Sequence, residues 1–418
     1  MKTARTAIAT LVGAAWLSAC VAAPEEAPLG APGPVNAAID GVVDDGAFPF
    51  LYVRVERLDG SLVYERSAAN PDFAAAAPTG ETWMRLWSMT KTVTIAAILS
   101  LEEDGVLSRT DPVTDYIPEF AGLRVLGAEG EAACDAPLRA PRRAMTIEDL
   151  LNHTDGFYYP FTGYDCLDEA MRAARLPEAA SSEDAIARIS GLALHPGGLG
   201  EYNYGIGTLV LGLVAERATG MAFDAVVEAH ITAPLGLTET LRYTLPEGVE
   251  TAPQMVGADG ALRLARPGEL DIFGGPVPDY AADTRVFLAG EGMVGTPEGY
   301  TAFLRMMGNL GALGGARLLE EDTVRDWYAP KTQLDSPYGH NGFNIWVTSG
   351  QFDDLPDQKP GLLVGGGYEG TAFWIDMDAG YVGLIMSQVL GPATGGVDEV
   401  SRLRGLIYEH ILEPGAQP

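Results

Sequence analysis

Apolar positions recur along this chain with two different periods. Near the start, about residues 50 to 66, apolar and polar side chains alternate on either side of Leu58-Asp59-Gly60-Ser61, the mark of two strands joined by a tight turn. Near the end, Thr371 to Asp376 and Tyr381 to Val389 repeat that pattern around Met377-Asp378-Ala379-Gly380. Between these hairpins the period is that of helices, over about 89–104, 146–152, 181–190, 205–219, 222–232, 297–309 and 320–328. Strands at both ends enclosing a mostly helical middle predict an α+β fold: an antiparallel sheet built from N- and C-terminal segments, flanked by helices, with a mostly helical inserted region at about 105–290. Residues 40–414 contain no repeat and no long low-complexity segment, and read as one domain.

The first residues do not belong to that body. Lys2 and Arg5 precede an apolar run from Ala7 to Ala19 that is too short to span a bilayer, the pattern of an export signal over residues 1–19. Leu17-Ser18-Ala19-Cys20 resembles the lipobox of bacterial lipoproteins, in which cleavage leaves Cys20 as a lipid-carrying N-terminus. Residues 20–39 then read as a flexible Pro/Ala tether. The expectation is an exported protein of the bacterial cell envelope, periplasm-facing, touching the membrane through its lipid anchor alone. The alternative is an ordinary secretory signal in which Cys20 is incidental. Export places Cys134 and Cys166 in an oxidising compartment, where they either pair or remain two buried thiols; the sequence leaves both open.

Charge removes several classes of partner. The 418 residues include 57 acidic and 27 basic side chains, a net charge of −30, with 47% hydrophobic residues. Such an acidic surface repels phosphate backbones and anionic headgroups, so nucleic acid and a polybasic membrane patch are excluded, while the apolar fraction is ample for a large core. Familiar catalytic motifs are missing as well. No serine has glycine two before and two after it, no H-E-x-x-H occurs, and no Gly-Lys pair exists for a P-loop. Gly365-Gly366-Gly367-Tyr368-Glu369-Gly370 fits G-x-G-x-x-G, but TAFWIDMD behind it is a strand pattern, and a dinucleotide fingerprint needs a helix there.

The segment Trp87-Ser88-Met89-Thr90-Lys91 is the informative one. It opens the run TVTIAAILSLEEDG, apolar around most of a helix circumference, which predicts a central, buried helix. Ser88 and Lys91, three apart, share one face within hydrogen-bonding reach. Lys91 is one of only four lysines in the chain, with Lys2, Lys331 and Lys359; arginine supplies the other basic positions. Arginine cannot give up its proton, whereas burial is expected to lower the pKa of Lys91 until its neutral amine takes the proton of Ser88.

From this segment onward the chain resembles the serine β-lactamase-like hydrolases: class C β-lactamases, D-Ala-D-Ala carboxypeptidases and family VIII carboxylesterases. The resemblance runs from RLWSMTKTVTIAAILSLEEDG through MTIEDLLNHTDGF, HPGGLGEYNYGIGTLVLGLVAERATG and GMVGTPEGYTAFLRMM to GGGYEGTAFWIDMDAGYVGLIMSQ, roughly residues 40 to 412. It implies a β-lactamase/transpeptidase-like fold and an acyl-enzyme on Ser88, with Lys91 and a tyrosine moving protons. Counting back from Gly212 places that tyrosine at Tyr204, with Tyr202 the alternative. His153, in Asn152-His153-Thr154-Asp155-Gly156, is implied to be a structural turn. On the strand beside the nucleophile the resemblance aligns Gly365-Gly366-Gly367, where relatives carry Lys-Thr-Gly, His-Thr-Gly or Trp-Gly-Gly. Gly366, Gly367 and Tyr368 would form the substrate strand, with the amides of Tyr368 and Ser88 as the oxyanion hole. A strand lacking the cation that grips a carboxylate points to small or short-chain neutral esters. D-Ala-D-Ala peptides and β-lactams are the alternative substrates, and a silent binding lipoprotein is the alternative outside enzymes. A monomer working on a small molecule without metal or cofactor is expected.

Overall fold

The computed structural model describes residues 29–414 apart from 74–75, 128–132, 259–260, 267, 271, 274–279, 335–337, 350–358 and 391–396. The two sequence hairpins meet in one eight-stranded sheet. Its strands are β1 (Phe50–Arg57), β2 (Leu62–Ala69), β3 (Thr332–Gln333), β4 (His340–Asn341), β5 (Trp346–Val347), β6 (Leu363–Gly367), β7 (Thr371–Asp376) and β8 (Tyr381–Met386). Their spatial order is β3-β4-β5-β6-β7-β8-β1-β2, and every pairing is antiparallel. The N- and C-terminal segments join where Tyr52 of β1 lies opposite Met386 of β8.

Side-chain alternation explains why the sheet is covered on both faces. Phe50 and Tyr52 of β1, Phe373 and Ile375 of β7, and Leu384 and Met386 of β8 enter the larger core. The residues between them, Leu51, Val53, Trp374 and Ile385, enter a second core on the opposite face. Sheet strands buried on both faces must be apolar at consecutive positions, which is how β8 reads.

The helices are α1 (Gly33–Asp44), α2 (Thr90–Glu103), α3 (Ile147–Asn152), α4 (Asp165–Ala173), α5 (Ser182–Ser190), α6 (Gly207–Thr219), α7 (Phe223–Val227), α8 (Pro297–Gly308), α9 (Glu321–Tyr328) and α10 (Val397–Ile407). All seven helical stretches read from periodicity are present. As expected, α2 is central: its residues from Thr90 to Leu101 are all buried. The region 105–290 is less helical than expected: its helices are joined by long irregular segments, and it also contains the hairpin Met255–Ala258 and Ala261–Leu264.

One boundary needs correction. The tether expected over 20–39 gives way to α1 at Gly33, whose Val35, Ile39 and Val43 recur at helical spacing and pack into the second core with Leu403 and Ile407 of α10. Proline at the first turn starts such a helix rather than breaking it, so Pro34 was misleading as a linker signal. The export signal, Cys20 and the first part of that tether lie outside the described residues.

Cys134 and Cys166 form a disulfide, Sγ–Sγ 2.02 Å, joining the short turn Ala133–Asp135 to the first turn of α4. The cross-link closes a loop of sequence separation 32, for which chain entropy gives a stabilisation of about 3 to 4 kcal/mol. The double variant Cys134→Ser/Cys166→Ser is expected to lose about that much in urea unfolding. An unchanged midpoint would show that the bridge does not stabilise the fold.

Candidate active site

Ser88 lies in the short turn Trp87–Met89 that leads directly into α2. Trp87 adopts a left-handed backbone, φ +48°, a conformation that costs a bulky residue on the order of 1 to 3 kcal/mol. One turn on, Lys91 is 1% exposed, and its Nζ donates to Ser88 Oγ at 3.1 Å. The sequence-derived pair is therefore in contact. Nζ also donates to the Tyr159 hydroxyl at 2.8 Å, the Gly290 carbonyl at 2.9 Å and Glu291 Oε1 at 3.2 Å. The Tyr159 hydroxyl in turn donates to Glu291, which is 2% exposed. A β-carbon on Gly290 would sit 3.3 Å from Nζ, so glycine there lets the main chain reach the amine.

These neighbours reverse one expectation. Burial alone does pull the Lys91 pKa down, as argued from the sequence, but Tyr204 and then Glu291 outweigh it and hold the group above its ordinary value. The direction of its titration is thus opposite to the one expected from burial alone. Burial and the nearby Glu291 push the Tyr159 phenol well above its usual range, so it is neutral and available as a donor.

The two candidate tyrosines have different surroundings. Lys91 Nζ lies 5.2 Å from the centroid of the Tyr204 ring, and Tyr204 lines the same cavity as Ser88. The Tyr202 hydroxyl instead accepts a hydrogen bond from Trp346 Nε1 at 3.1 Å. His153 terminates α3 in a left-handed conformation, φ +57°, and packs its ring 4.7 Å from that of Tyr204. Burial, reinforced by the charge of Lys91, lowers its pKa to about 3, so it stays neutral and supports Tyr204 as part of the turn.

Strand β6 keeps an unshifted register with β7 through the triple glycine, with Gly366 opposite Ala372 and Gly367 opposite Thr371. A β-carbon on Gly367 would meet Thr371 Oγ1 at 2.4 Å and the Leu86 carbonyl oxygen at 2.6 Å, so only glycine lets β6 lie against the nucleophile turn. Tyr368 follows, its ring packed edge-on to Trp87 at 5.2 Å. Beyond it Glu369 is fully buried, accepting from Trp87 Nε1 and Gln254 Nε2, each at 2.7 Å. Burial raises its pKa against the opposing pull of Arg85 and these two donors.

Ser88 opens onto a cavity of about 550 Å³ whose wall includes Trp87, Tyr159, Phe161, Tyr204, Trp346, Gly366, Gly367 and Tyr368. The substrate strand carries no cation, as expected, but Arg404 of α10 contributes to the same wall. The sequence reading missed three participants: Tyr159, Gly290 and Glu291. Their one signal was an acidic residue set among glycine and apolar neighbours in Leu288-Ala289-Gly290-Glu291-Gly292-Met293.

The family model described as Beta-lactamase matches residues 35–405. Protein Rv1367c of Mycobacterium tuberculosis is 30% identical over 304 residues, covering 70% of this chain and 72% of that protein. Esterase EstB of Burkholderia gladioli is 27% identical over 385 residues, covering 84% and 88%. Among solved structures, EstCE1, a hydrolase with promiscuous acyltransferase activity, matches with a TM-score of 0.72 at 20% identity over 89% of this chain and 98% of that one, a likeness of fold.

Proposed function

Because the chain belongs to the beta-lactamase family, a group of hydrolases and acyltransferases sharing this fold, we propose that it is a serine carboxylesterase working through an acyl-enzyme on small or short-chain esters. The observation that carries this reading is Ser88 Oγ, held 3.1 Å from Lys91 Nζ at the wall of a cavity that several aromatic rings help to line. Ser88 Oγ bonds to the ester carbonyl carbon, and the carbonyl electron pair moves onto the oxygen facing the Ser88 and Tyr368 amides. One such donor is worth about 2.7 to 4 kcal/mol in the barrier. Lys91 first hands a proton to Glu291 Oε1, to which it already donates, then as an amine takes the proton shed by Ser88 Oγ, and Tyr204 relays that proton to the alkoxide as the C–O bond breaks. Water then repeats the cycle on the acyl-enzyme. A substrate strand without a cation favours neutral esters over D-Ala termini and β-lactams.

Acyl transfer to an alcohol is a second reading, favoured by the aromatic rings in the wall, which would hold an apolar acceptor where water otherwise attacks, and by the promiscuous acyltransferase activity of EstCE1. The lipobox-like Leu17-Ser18-Ala19-Cys20 and the Cys134–Cys166 disulfide support placing the protein on the outer side of a bacterial membrane, held by its lipid.

Incubating the protein with p-nitrophenyl butyrate and with nitrocefin, beside Ser88→Ala, tests the assignment. Ester turnover that disappears in the variant is expected. Nitrocefin as the better substrate would overturn the ester reading, and the absence of both turnover and an acyl adduct would favour a silent binding protein.

A further inference from the structure

The two amides assigned to the oxyanion hole come from segments 280 residues apart in sequence, Ser88 and Tyr368. An oxyanion hole works only if its donors are set before charge develops, so something must hold these segments in register. Each amide has a neighbour in the chain whose side chain reaches across. Trp87 precedes Ser88, Glu369 follows Tyr368, and the indole Nε1 donates to Glu369 Oε2 at 2.7 Å inside the protein. We infer that this bond is a clasp that sets the oxyanion hole, making Trp87 and Glu369 positioning residues for the reaction proposed above, on which the inference rests.

Four features converge on the clasp. Trp87 holds the left-handed backbone from which the chain turns into Ser88, and a fixed indole opposes its relaxation. Its ring also packs edge-on to Tyr368, so one side chain touches both halves. Glu369 is anchored at its far end: Oε1 accepts from Gln254, and its carbonyl accepts from Val389 N at 3.0 Å. Finally, Gln388 brackets Arg85, accepting from its amide at 2.8 Å and donating to its carbonyl at 3.3 Å, which ties the start of the nucleophile segment to the end of β8. A fully buried carboxylate is costly unless its hydrogen bonds are made, and a carboxylate can accept from the indole and the glutamine amide at once. Leucine would fill the same space and accept neither.

The test uses the full chain with p-nitrophenyl butyrate, a fluorophosphonate label for Ser88 and an alkyl boronic acid, which forms a tetrahedral adduct whose oxygen occupies the oxyanion position. Glu369→Leu and Trp87→Phe are expected to lower kcat by about ten- to a hundredfold, the scale set by small misplacements of a catalytic group, with little change in KM. Boronate affinity is expected to fall in step. Glu369→Gln keeps one acceptor for the indole if Gln254 turns its amide over, and is expected within about threefold of the wild type, since uncharged donors then meet an uncharged acceptor. Wild-type kcat and boronate affinity in Trp87→Phe would overturn the clasp; should Glu369→Leu fail to fold, Trp87→Phe decides alone. Loss of kcat with unchanged boronate affinity would also overturn it, because a general loosening of the fold does not act on the oxyanion. Wild-type protein that takes no fluorophosphonate on Ser88 would instead overturn the esterase reading itself.

Discussion

Replacing Lys91 by methionine is expected to lower the rate of acylation by about 10³- to 10⁴-fold and, in the same protein, to lower stability by about 3 to 5 kcal/mol. The two losses have different origins. Activity depends on the amine that touches Ser88 Oγ and, through its charge, Tyr204. Methionine has similar length and no rigid branch, so it fills the channel without replacing the donor. Stability falls because Nζ also serves the Gly290 carbonyl, the Tyr159 hydroxyl and Glu291, all buried together. Removing the cation strands an acidic group that is 2% exposed, and unpairing a buried ion costs far more than a surface pair is worth. Arginine does not rescue the site: it keeps the charge but not the proton exchange, and its planar head does not fit where Gly290 closes to the amine. Burst-phase kinetics beside urea unfolding would separate the two effects. More than about a tenth of wild-type acylation in Lys91→Met would remove the lysine from the mechanism.

The second large effect is expected from Tyr204→Phe, a loss of about 10²- to 10³-fold in kcat, the scale of one general acid–base group. Tyr202→Phe is expected to stay near wild type, because the Tyr202 hydroxyl is engaged with Trp346 and not with Lys91. Tyr159→Phe falls between them. It removes an acceptor from Lys91 and a donor from Glu291, which disturbs the orientation of the amine without removing a proton carrier. Side-by-side turnover of the three variants gives the order directly. Full activity in Tyr204→Phe, with loss in Tyr159→Phe, would transfer the proton-shuttling role to Tyr159.

What could be read from the sequence follows from what local pattern encodes. Ser88 and Lys91 lie within one helical turn, and the apolar circumference of α2 announced the burial of Lys91 correctly. The sign of its titration was not legible. It depends on Tyr204 and on Glu291, 200 positions away, which only the folded chain brings to Nζ. Tyr159 was hidden for the same reason, as it lies in an irregular loop with no period to mark it. The hairpins predicted which ends would share a sheet, and the strand after the glycines, β7, ruled out a dinucleotide site as expected. The error over α1 came from trusting composition where Val35, Ile39 and Val43 already carried a helical spacing.

The pairing of β1 with β8 also sets how much of the chain must be present before the site is whole. Closing this sheet brings together residues as remote as Tyr52 and Met386, and such non-local contacts form slowly and late. A fragment ending with α6 carries Ser88, Lys91, Tyr159 and Tyr204, but not β6, Tyr368 or the clasping Glu369. The nucleophile and its oxyanion strand are therefore encoded at opposite ends of the fold. Strands β6 to β8, Leu363 to Met386, complete both the sheet and the site, so no fragment that stops short of them holds the nucleophile together with its oxyanion strand.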